Sequence, residues 1–112
     1  MKMVVAVVQD HMAQQVVDAL HRIPDVTGAT FSAVRGFGRG RRRDDDDSVE
    51  DLIGTLPRTR VEVVARDGVV PAVVAAIRSA AHTGKRGDGK VFVLPVETAL
   101  RISNGDTGDV AL

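Results

Sequence analysis

Residues 2–9 read Lys-Met-Val-Val-Ala-Val-Val-Gln, an apolar run without alternation, and that run limits the fold more than any other feature. A strand with one solvated face alternates apolar and polar residues. A continuous run rich in β-branched side chains buries both faces and belongs at the centre of a sheet. It is too short for a membrane span or a signal-peptide core, and no cleavage site follows it, so the expected location is the cytoplasm. From Asp10 the period changes. Val16, Leu20 and Ile23 recur at helical spacing with Val17 beside them, while Gln14, Gln15, Asp18 and Arg22 fall elsewhere, which predicts an amphipathic helix. Pro24 and Asp25 end it, because proline disfavours helical backbone at Ile23 and has no N–H to donate.

Residues 29–34 alternate as a half-buried strand and run into Arg35-Gly36-Phe37-Gly38-Arg39-Gly40, where closely spaced glycines permit unusual backbone angles. Residues 38–56 form a long loop, a length that in a compact domain usually serves a function or stays disordered. Residues 58–66 alternate strictly: Arg58, Arg60, Glu62 and Val64 share one side, and Thr59, Val61, Val63 and Ala65 the other. A second helix carries Val70, Val73, Val74, Ile77 and Ala81 as its apolar stripe, with Pro71 in the first turn, where proline is tolerated. It ends near His82-Thr83-Gly84, and Gly84 can supply a left-handed cap. Residues 90–96 read as the last main strand, 98–102 as a shorter extended piece and 103–112 as a polar tail.

This order, β-α-β-β-α-β, is that of the ferredoxin-like α+β fold: an antiparallel sheet with two helices on one face. The 112 residues suit one domain spanning 1–112. Two helices cover one face only, so the other is expected to carry exposed Val and Ile side chains and to be buried in a homo-oligomer. Fifteen basic and fifteen acidic residues give a net charge of +0, and the aromatics are three Phe. With no global positive field and almost no stacking surface, nucleic acid is not an expected partner. The chain has no cysteine, which removes disulfides, thiolate metal sites and a thiol nucleophile.

Two motifs carry chemistry. One is Gly36-Phe37-Gly38-Arg39 at the end of the second strand. The other is Thr83-Gly84-Lys85-Arg86-Gly87-Asp88-Gly89-Lys90-Val91-Phe92-Val93, where glycines let backbone approach a polyanion while Lys85, Arg86 and Lys90 gather positive charge beside them. With these motifs in this order the chain resembles the PII signal-transduction (nitrogen regulatory) family, collinearly over almost its whole length, as a divergent member. Leu56-Pro57-Arg58, Arg101-Ile102 and Ala111-Leu112 also fall where that family has similar residues.

The resemblance implies a homotrimer that binds ATP, ADP or AMP in clefts between subunits and carries no prosthetic group. It assigns Val7, Thr30 and Val64 to the adenine side, Gly36, Phe37, Gly38 and Arg39 to the approach from the loop base, and Thr83 to the second motif. Gly87, Asp88, Gly89 and Lys90 would hold ribose and phosphates, and Arg101 would reach phosphates from a neighbouring subunit. The family is regulatory rather than enzymatic in its main role, so no catalytic residue is expected. Its members act on a target protein through the long loop, called the T-loop, and in divergent branches that target is often a membrane transporter.

Several positions depart from the family pattern. Gly40 replaces a Gln that helps to coordinate Mg²⁺ and 2-oxoglutarate. Arg58 replaces a Lys, keeping the charge at this candidate effector contact while changing its geometry. Both changes weaken the case for 2-oxoglutarate sensing. Gln9-Asp10-His11 stands where Lys-Pro is common after the first strand, and Ser103 replaces a second arginine. The chain has no tyrosine, so nucleotidylylation at the family's usual Tyr is excluded, and Ser48 reads as an ordinary loop serine.

Residues 41–47 set three Arg against four Asp, which reads first as a solvated loop of partly neutralising blocks and second as an electrostatic docking segment. The consecutive acids lack the alternating spacing of a calcium loop, and His11, His21 and His82 show no metal-ligand spacing, so no metal site is expected. The alternatives to a nucleotide sensor are a trimeric metal-tolerance protein of the same fold and a slow nucleotide phosphohydrolase using Asp88 and Glu62.

Overall fold

The structure, a computed structural model, describes residues 1–38 and 55–112. Strands β1 (Lys2–Gln9), β2 (Thr30–Gly36), β3 (Leu56–Ala65) and β4 (Gly89–Pro95) form one antiparallel sheet in the order β2-β3-β1-β4. The apolar run is therefore an inner strand, paired with β3 on one side and β4 on the other. Helix α1 (Ala13–His21) follows a 3-10 turn at Asp10–Met12, and helix α2 (Val70–Ala81) follows another at Asp67–Val69. This is the ferredoxin-like arrangement that the residue periods predict.

Both helices lie on the sheet face formed by Val4, Ala6, Val8, Val61, Val63 and Ala65. They bury Val16 and Leu20 from α1, and Val70, Val73, Ile77 and Ala81 from α2, against that face. The alternation of β3 is observed as read, with Val61, Val63 and Ala65 buried and the residues between them only partly so. On the opposite face, strand pairing aligns Met3 with Val64 and Leu94, Val5 with Glu62 and Phe92, and Val7 with Arg60 and Lys90. The exposed apolar groups here are Phe92 and Leu94, so Phe and Leu take the place of the expected Ile.

Three boundaries move. Helix α1 stops at His21 with Arg22 as its cap, so Ile23 packs on the core from beyond the helix. Pairing in the β2–β3 hairpin continues to Gly36 opposite Leu56, which places Leu56 in a strand rather than in the long loop. There the Arg35 guanidinium bridges the stem, Nε donating to Thr55 Oγ1 at 2.9 Å and Nη2 to the Thr55 carbonyl at 2.8 Å. The third change concerns residues 98–102, which are not a strand. Leu100 makes a single bridge to Thr107, and Arg101 N donates to the Asp106 carbonyl at 2.8 Å. The polar tail folds back as a tight hairpin-like turn ending in a 3-10 turn at Gly108–Ala111, because the backbone groups of 99–108 pair with each other once no neighbouring strand is left.

Ile77 is wholly inaccessible at the helix-sheet contact. Ile77→Ala is expected to lower unfolding free energy by about 2–5 kcal/mol and Ile77→Val by about 0.5–1.5 kcal/mol, as read by denaturant titration.

Candidate functional site

One end of the sheet gathers the ends of several elements. Register places Gln9 opposite Arg58, Val8 opposite Gly89, and Gly36 opposite Leu56. Beyond them the loop from α2 to β4 folds over this end. Together they line an open cleft of about 710 Å³ bounded by Val7, Gly36, Phe37, Gly38, Leu56, Arg58, residues 85–90 and Phe92. Arg58, Lys85, Arg86 and Lys90 bring positive charge to its walls, and Asp88 is the carboxylate among its lining residues. Val7, Phe37, Leu56 and Phe92 give it an apolar side, which suits a ligand with a flat apolar part and an anionic part.

The loop is held by chemistry inside its own sequence. Asp88 accepts hydrogen bonds from the Thr83 hydroxyl and, at 2.8 Å, from the Thr83 backbone N–H. Lys85 N in turn donates to Thr83 Oγ1 at 3.2 Å, and His82 Nδ1 lies 3.5 Å from Asp88 Oδ2. Burial pushes the Asp88 carboxyl upward, but the Thr83 hydroxyl and N–H bonds, the nearby His82 and the Gly84 N–H together outweigh it, and the net shift is downward. From β1, Gln9 Nε2 donates to the Gly87 carbonyl at 3.0 Å, tying the loop to the central strand.

Gly89 decides where the loop meets the sheet. Its φ is +108°, and an added Cβ would lie 1.9 Å from the Val7 carbonyl oxygen, a distance no side chain can occupy. Backbone of β4 therefore enters the sheet flush against β1, and the loop reaches the cleft without a side chain in between.

Of the residues assigned from sequence, Val7, Gly36, Phe37, Gly38, Arg58, Gly87, Asp88, Gly89 and Lys90 line this cleft. Thr83 stands behind it as the partner of Asp88. Thr30 and Val64 do not line it: they sit near the opposite end of the sheet, Thr30 opposite Glu62 and Val64 opposite Met3. Six residues of strand, about 20 Å at 3.3 Å per residue, separate Val64 from Arg58. Arg101 is held in the C-terminal turn and is also outside the cleft lining. Within one chain Thr30 and Val64 thus lie apart from Val7, at the other end of the strands, and the expected grouping of the three on one adenine side is one for a cleft between subunits. Arg39, Gly40, Ser48 and the charged run 41–47 lie outside the described residues.

Sequence reading gives Gln9, Leu56 and Phe92 no part in lining or holding a cleft. Nothing local marks a glutamine at a strand end as the partner of a carbonyl far along the chain, while Leu56 reads as the end of the long loop and Phe92 as a strand residue within the second motif. Glu62, named for hydrolysis, pairs with Arg60 at 2.7 Å and does not line the cleft. Among the described residues no three His, Asp or Glu side chains come together as a metal site, so the metal-binding alternative gains no ligand set from them.

A family model described as "Nitrogen regulatory protein P-II" matches residues 1–106. This chain belongs to the P-II family. Curated relatives named nitrogen regulatory protein P-II include those of Azospirillum brasilense, 37% identical, and Cereibacter sphaeroides, 38% identical, each covering 100% of both chains. Nitrogen regulatory protein P-II 1 of Escherichia coli strain K12 is 34% identical over the same full coverage. The sheet order and the two helices on one face are thus the P-II fold, and the protein is a member of a family of regulators. No helix among the described residues is long and apolar enough to cross a membrane.

Two outcomes test the loop geometry. Gly89→Ala is expected to cost more than about 2 kcal/mol, since a positive φ and a backbone clash act together. Gly84→Ala, at φ +83° with open space around it, should cost only the left-handed penalty of about 1–2 kcal/mol. The second outcome concerns pH. Asp88 is a carboxylate with a lowered folded-state pKa, so its stabilising contribution is complete above the unfolded value of about 4 and is lost as pH falls through the lower folded value. NMR titration of its carboxyl carbon should give a midpoint below that of free Asp, and Thr83→Val should move the midpoint upward.

Proposed function

We propose that this P-II protein is a non-enzymatic, cytoplasmic regulator that binds an adenine nucleotide at its subunit interfaces and controls a target protein through the long loop between β2 and β3. The observation that carries the reading is the cleft itself. A glycine-containing loop with Lys85, Arg86 and Lys90 faces an apolar wall of Val7, Leu56 and Phe92, and the base of the long loop forms one of its rims. Charge-assisted contacts from the cationic side, with backbone N–H groups of the glycine segment, suit phosphates, while the apolar side suits a base.

The separation of Thr30, Val64 and Arg101 from the cleft supports an interfacial site. A second subunit would supply them across the sheet face that no helix covers, where Phe92 and Leu94 are exposed. Three copies arranged with these faces inward would bury that surface and complete each cleft from two chains. Arg58, which lines the cleft and is bonded through Nη1 to the Pro57 carbonyl at 3.0 Å, would be the contact for a second anionic effector.

Coupling to a target follows from the position of the long loop. Gly36, Phe37 and Gly38 belong to both the cleft and the loop's entry, and the Arg35–Thr55 bridge clamps the stem behind them. A ligand whose contacts differ between two loop arrangements shifts their populations by that difference. A membrane transporter or a nitrogen-metabolism protein is the kind of target this reading implies.

Calorimetric titration with ATP, ADP and AMP, each with and without Mg²⁺ and 2-oxoglutarate, tests the reading. About one nucleotide per chain is expected. Lys90→Ala should weaken binding about tenfold or more, the scale of a lost charged hydrogen bond, with unchanged thermal unfolding. Equal affinity of wild type and variant would remove Lys90 from the site, and absence of binding by any nucleotide would overturn the function.

A further inference from the structure

Arg101 is assigned to phosphate, yet its side chain is engaged by residues outside the cleft. Its Nη2 donates to the Val110 carbonyl at 3.0 Å and to the Leu112 carbonyl at 3.1 Å, and its Nη1 lies 3.8 Å from Asp106 Oδ2. The backbone at this residue is fixed separately, Arg101 N donating to the Asp106 carbonyl and Gly105 N to the Arg101 carbonyl, both at 2.8 Å. Only the guanidinium is therefore available for exchange between partners.

A guanidinium grips a phosphate with two parallel hydrogen bonds through one of two edges, Nε with Nη2 or Nη1 with Nη2. Each edge contains one of the two Nη2 protons. In this structure Nη2, the nitrogen common to both edges, already donates to two main-chain oxygens of the C-terminal turn, so either two-point grip on a phosphate competes with the seated turn. We propose that residues 109–112 are an internal competitor for Arg101, and that a bound nucleotide's phosphate chain displaces them. This inference rests on the nucleotide reading above and adds a regulatory element to it.

The turn is built to be released. Its start is pinned by Gly108 N donating to the Ala99 carbonyl at 3.0 Å, and Leu112 N bonds locally to the Asp109 carbonyl at 3.2 Å. Past Gly108, its hydrogen bonds to other parts of the chain among the described residues are those to Arg101. Val110 is 60% exposed, and Ala111 and Leu112 are only partly buried, so no fully buried apolar side chain holds the segment in place. Competition for one side chain makes the coupling reciprocal: phosphate loosens the turn, and the seated turn weakens phosphate binding by the same factor.

Amide hydrogen exchange of the 112-residue protein, with and without saturating ATP, reads the turn directly. Faster exchange at residues 109–112 with ATP is expected; unchanged or slower exchange overturns the proposal. Affinity supplies the second readout. A chain ending at Gly108, checked for native thermal unfolding, is expected to bind ATP about fivefold or more tightly, the lower end of ordinary coupling energies. The gain should vanish when Arg101→Lys is made in both lengths. Equal or weaker binding by the shortened chain sinks the competition while leaving the nucleotide reading intact. Binding by the shortened chain alone would be the competitor at full strength, and binding by neither length would overturn the nucleotide reading and this proposal with it.

Discussion

Strand β1 is hydrogen-bonded on both sides, and the rest of the molecule is arranged around that fact. Its valines point alternately into the helix-covered core and toward the open face, so one eight-residue segment anchors both surfaces of the sheet. Val4, Ala6 and Val8 receive the helices, while Met3, Val5 and Val7 stand among Val64, Phe92 and Leu94. Because backbone N–H and C=O groups in the sheet interior must be paired, β3 and β4 have little freedom to slip. The register of β4 in turn brings Gly89 against the Val7 carbonyl.

That close approach turns a sheet end into a binding cleft. The loop before β4 cannot drift away from β1, since Gly89 is flush with it and Gln9 holds the Gly87 carbonyl. Within the loop, the Asp88 carboxylate is spent on Thr83, so the cationic side chains around the cleft are not neutralised by forming a pair with it. Across the cleft, the β2–β3 stem is closed by strand pairing up to Gly36 and by the Arg35 bridge. A rigid wall and a clamped loop base thus face each other, which is the arrangement a ligand needs to bias a long connecting segment.

Much of the fold was legible because side-chain period reports the environment of a strand or helix directly. The unbroken run in β1, the strict alternation of β3 and the helical stripes of α1 and α2 each state how many faces are buried. The cleft was partly legible for a different reason: glycine and cationic residues next to each other have few structural uses. The pattern stopped at the tail, where 98–102 read as an extended piece and 103–112 as a polar tail, and the turn held by Arg101 could not be seen. It also stopped at Gln9 and Thr83, whose roles depend on partners brought near by folding. Gln9 meets Gly87 across 78 positions of sequence separation.

By itself the sequence determined the order of elements, the central position of β1, the helix-covered face and the family to which its glycine-rich motifs belong. These follow from local physics, since burial imposes a period and close backbone approach demands glycine. Only the tertiary structure decided which assigned residues meet. It brought Val7, Arg58 and Lys90 to one end of the sheet, sent Thr30 and Val64 to the other, and gave Arg101 to the C-terminal turn. The reason is that the register of an antiparallel sheet and the folding back of a tail are set by contacts between distant segments, and no short stretch of the chain encodes them.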